Sequence, residues 1–131
     1  FSKKFHSNDI DVFVGIESRG FILACMLAQK YNKGMVLIRK VGKLPGNTVK
    51  VSYTIEYGKA QMEMQKTALE KNERVLICDD LLATGGTAKA AAKLVEKLGA
   101  EVTGFAFIIE LTELKGKEKI KEYRTESLVE Y

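Results

Sequence analysis

The chain has 131 residues, 46% of them hydrophobic, one Pro and a formal charge of +4. That length and composition fit a single compact α/β domain and exclude a disordered chain. Lys and Arg are scattered among Asp and Glu with no basic stripe, which argues against nucleic acid as a partner. The longest apolar run, residues 21–28, is too short to cross a membrane.

Cys25 and Cys78 both lie in apolar runs and read as reduced, buried thiols of a cytoplasmic protein. The only histidine, His6, sits in a polar stretch and offers neither thiol a catalytic base. The sequence opens on Phe1, not Met, close before its first strand, which predicts a preceding segment.

Residues 1–9 are polar and charged and read as a linker or the tail of a preceding helix. Residues 11–17, DVFVGIE, are apolar on both faces, as a buried parallel strand requires. A helix is expected from about Arg19 to Tyr31, with Ser18 as its N-cap and a stop at residues 32–34. Arg19 therefore falls at a helix N-terminus on the carboxyl edge of the sheet.

Residues 35–41 form the next strand, ending in the basic pair Arg39 and Lys40. A loop of turn formers follows, GKLPGN over 42–47. Residues 48–55 and 59–66 alternate in polarity on either side of Glu56-Tyr57-Gly58, so 42–66 reads as a polar hairpin inserted between core strands, suited to act as a flexible lid. Ala60, Met62 and Met64 share one side of it; Glu63 and Glu70 are expected to be solvated, and Tyr53 to pack half-buried. Residues 67–72 read as a short helical turn.

The centre of the sequence is RVLICDDLLATGGT, residues 74–87. Val75, Leu76, Ile77 and Cys78 read as a strand buried on both faces. Asp79 and Asp80 follow, then Ala83-Thr84-Gly85-Gly86-Thr87, then a helix to about Leu98. Its apolar face is Ala88, Ala91, Ala92, Val95 and Leu98, and Gly99 closes it. Glycines without a β-carbon let backbone N–H groups at a helix N-terminus approach an anion. Asp79 and Asp80 would repel phosphate; they suit sugar hydroxyls or a metal. A phosphate cradle beside a polyol site implies a ribose 5-phosphate moiety. A Walker A loop is excluded because no Lys precedes Thr87, and a dinucleotide fingerprint because G-x-G-x-x-G is absent. A plain strand–turn–helix remains the alternative. The chain then continues with a strand over 101–110, a short helix near 117–121 and a last strand over 127–131, which makes four to five core strands plus the hairpin in a doubly wound, mostly parallel sheet.

The run VLICDDLLATGGT closely resembles the phosphoribosyl pyrophosphate (PRPP) motif of the type I phosphoribosyltransferases, and its DDLLATGGT form resembles the adenine-specific members. ESRG at 17–20, KVGKLPG at 40–46, SYTIEYG at 52–58 and ELTELKG at 110–116 extend the resemblance over nearly the whole chain. It implies the type I phosphoribosyltransferase fold and the reaction of adenine with PRPP to give AMP and pyrophosphate. It implies Asp79 and Asp80 for the ribose, and Ala83, Thr84, Gly85, Gly86 and Thr87 for the 5-phosphate. Arg19, Arg39 and Lys43 are implied for the pyrophosphate, while Glu56 and Tyr57 would meet the reacting centre when the hairpin closes, Glu56 handling the proton of the base. Mg2+ is the implied cofactor, carried mainly by phosphates and water, so no direct protein ligand is named. A homodimer is implied; the N-terminal hood that family members place over the purine is not in this sequence, so the base-contacting residues are not named. Transfer to another purine base, and a PRPP-sensing regulator without catalysis, stay open as alternatives; LLATGGT and ELTELKG disfavour a 6-oxopurine.

Overall fold

The computed structural model describes every residue except Ser2 and Glu56. Its strands are β1 (Val12–Ile16), β2 (Gly34–Lys40), β3 (Thr48–Ile55), β4 (Gly58–Gln65), β5 (Arg74–Leu82), β6 (Glu101–Glu110) and β7 (Arg124–Glu130). Two helices, α1 (Gly20–Tyr31) and α2 (Gly86–Lys97), complete the main elements. The strands form one sheet in the order β3-β4-β2-β1-β5-β6-β7. β2, β1, β5, β6 and β7 run parallel. β4 is antiparallel to both β2 and β3.

Alternation in the buried strands assigns each helix a face. Val12, Val14, Ile16, Val75 and Ile77 pack with Ala88, Ala91 and Val95 of α2. Phe13, Leu76 and Cys78 point the other way, onto Leu23, Ala24 and Leu27 of α1. A register shift between Val75 and Leu76 in the β5–β6 pairing puts Val102 and Phe105 on the same side despite their odd separation. Full burial of a side chain such as Phe13 or Phe105 contributes about 1.5–3 kcal/mol. The chain moves outward from β1 to β2 through α1, then returns beside β1 with β5 and moves away through α2. The reversal between β1 and β5 is the position where open α/β sheets leave a crevice beyond the strand ends.

Several local expectations change. Residues 1–9 are held against the core: Phe5 is 2% exposed, and the Tyr31 hydroxyl donates to its carbonyl at 2.6 Å. Cys25 is exposed, because the buried positions of α1 are Leu23, Ala24, Leu27 and Ala28 and Cys25 falls on the outer side. Ser18 is not the cap of α1; Arg19 occupies that position and makes no side-chain cap bond. Residues 67–72 form turns, not helix. The segment near 117–121 is a 3-10 turn over Gly116–Ile120, and β7 begins earlier than read and ends at Glu130.

Candidate active site

Three chain segments meet at the carboxyl ends of β1, β2 and β5. The first is the turn from β1 into α1. A Cβ on Gly20 would meet the Cys78 carbonyl at 2.6 Å, so only glycine lets this turn lie against the end of β5. Arg19, just before it, reaches Asp80, Nε to Oδ2 2.9 Å. The Glu17–Ser18 peptide in this turn is cis.

The second segment is the end of β2 with the loop behind it. Glu17 accepts from Arg39 Nε at 3.3 Å and from the Lys40 N–H at 2.8 Å, and its other oxygen pairs with Lys43 Nζ. Burial acts to raise the Glu17 pKa, but the Lys43 ammonium, the Lys40 amide and Arg39 together hold it below its ordinary value. Glu17 was not among the sequence candidates. Its signal was its place beside Arg19 at the end of a buried strand.

The third is β5 itself. It continues to Leu82, so Asp79 and Asp80 are strand residues and the glycine loop begins after Leu82. The ladder continues past them because β6 still pairs there, Asp79 opposite Phe107 and Leu81 opposite Ile109. Asp79 Oδ1 accepts the Asp80 N–H at 2.9 Å. Burial, and then the adjacent Asp80 carboxylate, outweigh the stabilising amide and Arg19 and push the Asp79 pKa up to about 7. Burial also raises the Cys78 thiol, which keeps it protonated and inert.

Ala83 and Thr84 form the bend after β5, and Gly85 sits at the N-cap of α2 with φ 90°. A Cβ on Gly85 would meet the Gly116 carbonyl at 2.5 Å, and one on Gly116 would collide with the Ala83 carbonyl. The loop is thus locked onto the 3-10 turn by two glycines, Gly85 of the 79–87 loop and Gly116 at the end of ELTELKG. Gly86 and Thr87 open the helix, where free N–H groups and the positive dipole end suit an anion.

The cleft has two adjoining lobes. One of ≈ 190 Å³ is bounded by Glu17, Arg39, Lys40 and Tyr53, the other of ≈ 200 Å³ by Ala83, Thr84 and Gly85. Arg19, Asp79, Asp80 and Thr87 line both. Lys43 enters this group through Glu17. Tyr57 does not: it is 90% exposed at the hairpin tip. Glu56 lies outside the described residues.

Glu63 is a correction. Expected to be solvated, it is 3% exposed. The Thr48 hydroxyl donates to one of its oxygens at 2.8 Å, and the N–H groups of Gly42, Lys43 and Leu44 donate to the other at 2.9, 3.2 and 3.2 Å. Alternation misled here because both faces of β4 are covered: Met62 and Met64 face the core, and the 42–44 loop with Thr48 folds over Glu63 on the other side.

Among the described residues no three His, Cys, Asp or Glu side chains are grouped as a metal cage. No helix among them is long and apolar enough to cross a membrane.

The two-lobed crevice at the switch point, with a glycine loop at a helix N-terminus, is the architecture of one transferase class. The sequence matches the phosphoribosyl transferase domain over residues 1–130, and the chain belongs to that family. Its relatives narrow the class. An adenine phosphoribosyltransferase of Nitrosopumilus maritimus is 68% identical over 131 residues, 100% of this chain and 77% of the relative. The crystal structure of adenine phosphoribosyltransferase from Rhodothermus marinus superposes with TM-score 0.95 at 46% identity, covering 99% of this chain and 74% of that one. The Saccharomyces cerevisiae enzyme, complexed with an imino-altritol bisphosphate and adenine, gives 0.91 at 42% identity, covering 97% and 72%.

Proposed function

We propose that the chain makes AMP and pyrophosphate from adenine and PRPP, a purine salvage reaction. The observation that carries this reading is the pair of carboxylates in the wall shared by two lobes, each of which presents cations or helix N–H groups. PRPP has that order of charge: pyrophosphate, ribose hydroxyls, 5-phosphate. The yeast relative's complex with a bisphosphate and adenine supports it.

In this reading the 5-phosphate lies in the lobe of Ala83, Thr84 and Gly85, on the N–H groups that Gly86 and Thr87 present. Asp79 and Asp80 accept the ribose hydroxyls and hold C1 in line with the incoming base; alignment of this kind contributes several powers of ten in rate. Arg19, Arg39 and Lys43 receive the pyrophosphate. Its C1–O bond breaks as C1–N forms, positive charge builds on the sugar, and these cations stabilise the negative charge that leaves. The base's N–H proton must go to an acceptor, and Glu56 is the candidate on sequence pattern alone. The hairpin, with Tyr57 at its tip, closes to keep water from C1.

Asp79 and Asp80 are hard oxygen donors of the kind Mg2+ takes, together with phosphate oxygens and water. Mg2+ bound there would neutralise charge on the pyrophosphate. We also propose a homodimer, for which Ile22 and Met26, 64% and 65% exposed on the outer side of α1, supply an apolar face. The cytoplasm, where thiols such as Cys25 and Cys78 persist, is the proposed compartment.

The test is chromatographic conversion of adenine to AMP by PRPP with Mg2+, with hypoxanthine and guanine as competitors. Preferred use of a 6-oxopurine would overturn the base assignment. PRPP binding without turnover of any base would favour a regulator.

A further inference from the structure

The buried Glu63 carboxylate has no place in the chemistry above, yet it is the most heavily hydrogen-bonded side chain near the cleft. Three successive backbone N–H groups, of Gly42, Lys43 and Leu44, converge on its Oε2. Consecutive amides arranged this way form a concave anion site, and Gly42, at φ 98°, supplies the left-handed backbone that the curl requires. In this chain the anion is built in. It belongs to β4, the returning strand of the hairpin, and Thr48, the first residue of β3, ties its other oxygen.

The nest therefore joins both strands of the hairpin to the loop that carries Lys43. From that loop the Lys43 ammonium reaches Glu17, whose other oxygen holds Arg39 and the Lys40 amide. A continuous set of contacts runs from the hairpin base to the lobe assigned above to pyrophosphate. Lys43 itself is on an exposed loop, and without the nest no other described side chain bonds its backbone amide.

We propose that Glu63 is a positioning residue for the pyrophosphate half of the site: it fixes the 42–44 backbone so that the Lys43 ammonium reaches Glu17 at the cleft, and it couples the hairpin to that cation. The proposal rests on the phosphoribosyl-transfer reading for its ligand. Glu63 touches no reacting atom, so its effect should fall on PRPP and pyrophosphate and spare adenine. A residue that only held the fold together would weaken both substrates.

The test is Glu63→Gln, which keeps the volume but replaces the charged acceptor by a weaker one and turns an NH2 group toward the nest or Thr48. Amide hydrogen exchange at Gly42, Lys43 and Leu44 is expected to speed up, with exchange in β1 and β5 unchanged. The KM for PRPP is expected to rise about fivefold to tenfold, the net worth of one ordinary hydrogen bond, with the KM for adenine within about twofold. In a Lys43→Met background the same substitution should add less than about twofold, because its effect passes through Lys43. An unchanged KM for PRPP, or an undiminished effect without the Lys43 ammonium, would overturn the proposal. Thr48→Val, which removes one donor and leaves the carboxylate, should shift PRPP in the same direction by less and serves if Glu63→Gln does not fold. If the wild-type chain turns over no base, the transfer reading fails separately, and pyrophosphate binding by calorimetry still reads the Glu63–Lys43 coupling.

Discussion

Arg19 and Asp80 form an ion pair across the mouth of the cleft, Nε to Oδ2 2.9 Å, with the Arg19 side chain 74% exposed. Two groups proposed for different parts of PRPP thus occupy one another. Substrate binding must exchange this contact, Arg19 turning to pyrophosphate and Asp80 to a ribose hydroxyl. An exposed pair contributes at most about 1 kcal/mol, so the exchange is inexpensive.

Asp80→Asn separates these roles. Loss of a charged acceptor for a hydroxyl should lower kcat/KM for PRPP about 10- to 100-fold. Pyrophosphate alone should bind as tightly as before or better, since Arg19 no longer has a competing carboxylate. Calorimetry on both ligands reads the two signs. A parallel loss for PRPP and pyrophosphate would mean that Asp80 acts mainly by orienting Arg19.

Asp79 makes a prediction about pH. Its pKa is raised from 3.8 to about 7, first by burial. Between those values the folded chain holds a proton that the unfolded chain has released, so stability falls as pH rises through that window, and the whole penalty is present above it. Asp79→Asn removes the penalty while retaining an oxygen for the Asp80 amide. The variant should be more stable than wild type at pH 8, by up to a few kcal/mol, and nearly equal at pH 4. Glu17 and Glu63, whose pKa values are lowered from 4.5, act in the opposite sense in both proteins: their contribution is present above that value and is lost as pH falls. Melting temperatures across pH 4–8 check this, and a gap that does not change with pH refutes it. Turnover should drop at least about 100-fold, the stability having been given up for the ribose site.

The Gly85–Gly116 contact predicts a shared defect. Gly85→Ala places a Cβ at φ 90° and 2.5 Å from the Gly116 carbonyl; Gly116→Ala meets the Ala83 carbonyl from the other side. Each should cost about 2–4 kcal/mol and raise the KM for PRPP, since the displaced segment carries the N–H groups proposed for the 5-phosphate. Because both clashes open the same loop-on-turn interface, the double variant should fall short of the sum, which melting curves and a double-mutant cycle measure.

The residues that read correctly from sequence are those whose pattern is local. Val12–Ile16 is apolar throughout because it is central, and β3 and β6 end where alternation and turn formers say they should. The acids and glycine loop of 79–87 were visible because they are contiguous in the sequence. The misreadings depended on neighbours distant in sequence. Glu63 is buried because the 42–44 loop, some twenty residues earlier, folds its amides over that face of β4. Phe5 is buried because α1 and β6 form its pocket, with Arg124 stacked on its ring at 4.8 Å. Cys25 misled for the opposite reason: α1 is apolar on both sides, so its sequence does not say which side faces the sheet.

The hairpin tip provides the last prediction. β3 and β4 pair from Thr48 opposite Gln65 to Ile55 opposite Gly58, and of the two residues between the last pair only Tyr57 is described. Tyr57 is 90% exposed and Ile55 44%, a poor use of apolar surface unless something covers it at another stage. Closure over bound PRPP would provide that cover and bring Tyr57 to the reacting centre. The chain has no Trp, so Tyr57→Trp introduces a single reporter. Its emission should shift to the blue on addition of PRPP with Mg2+, and remain unchanged with adenine alone. The shift should be weaker in Lys43→Met, where the cation that draws the loop toward the pyrophosphate is gone. Emission that stays solvent-like at saturating PRPP would show that the tip remains open, and would shift the task of excluding water to another part of the chain.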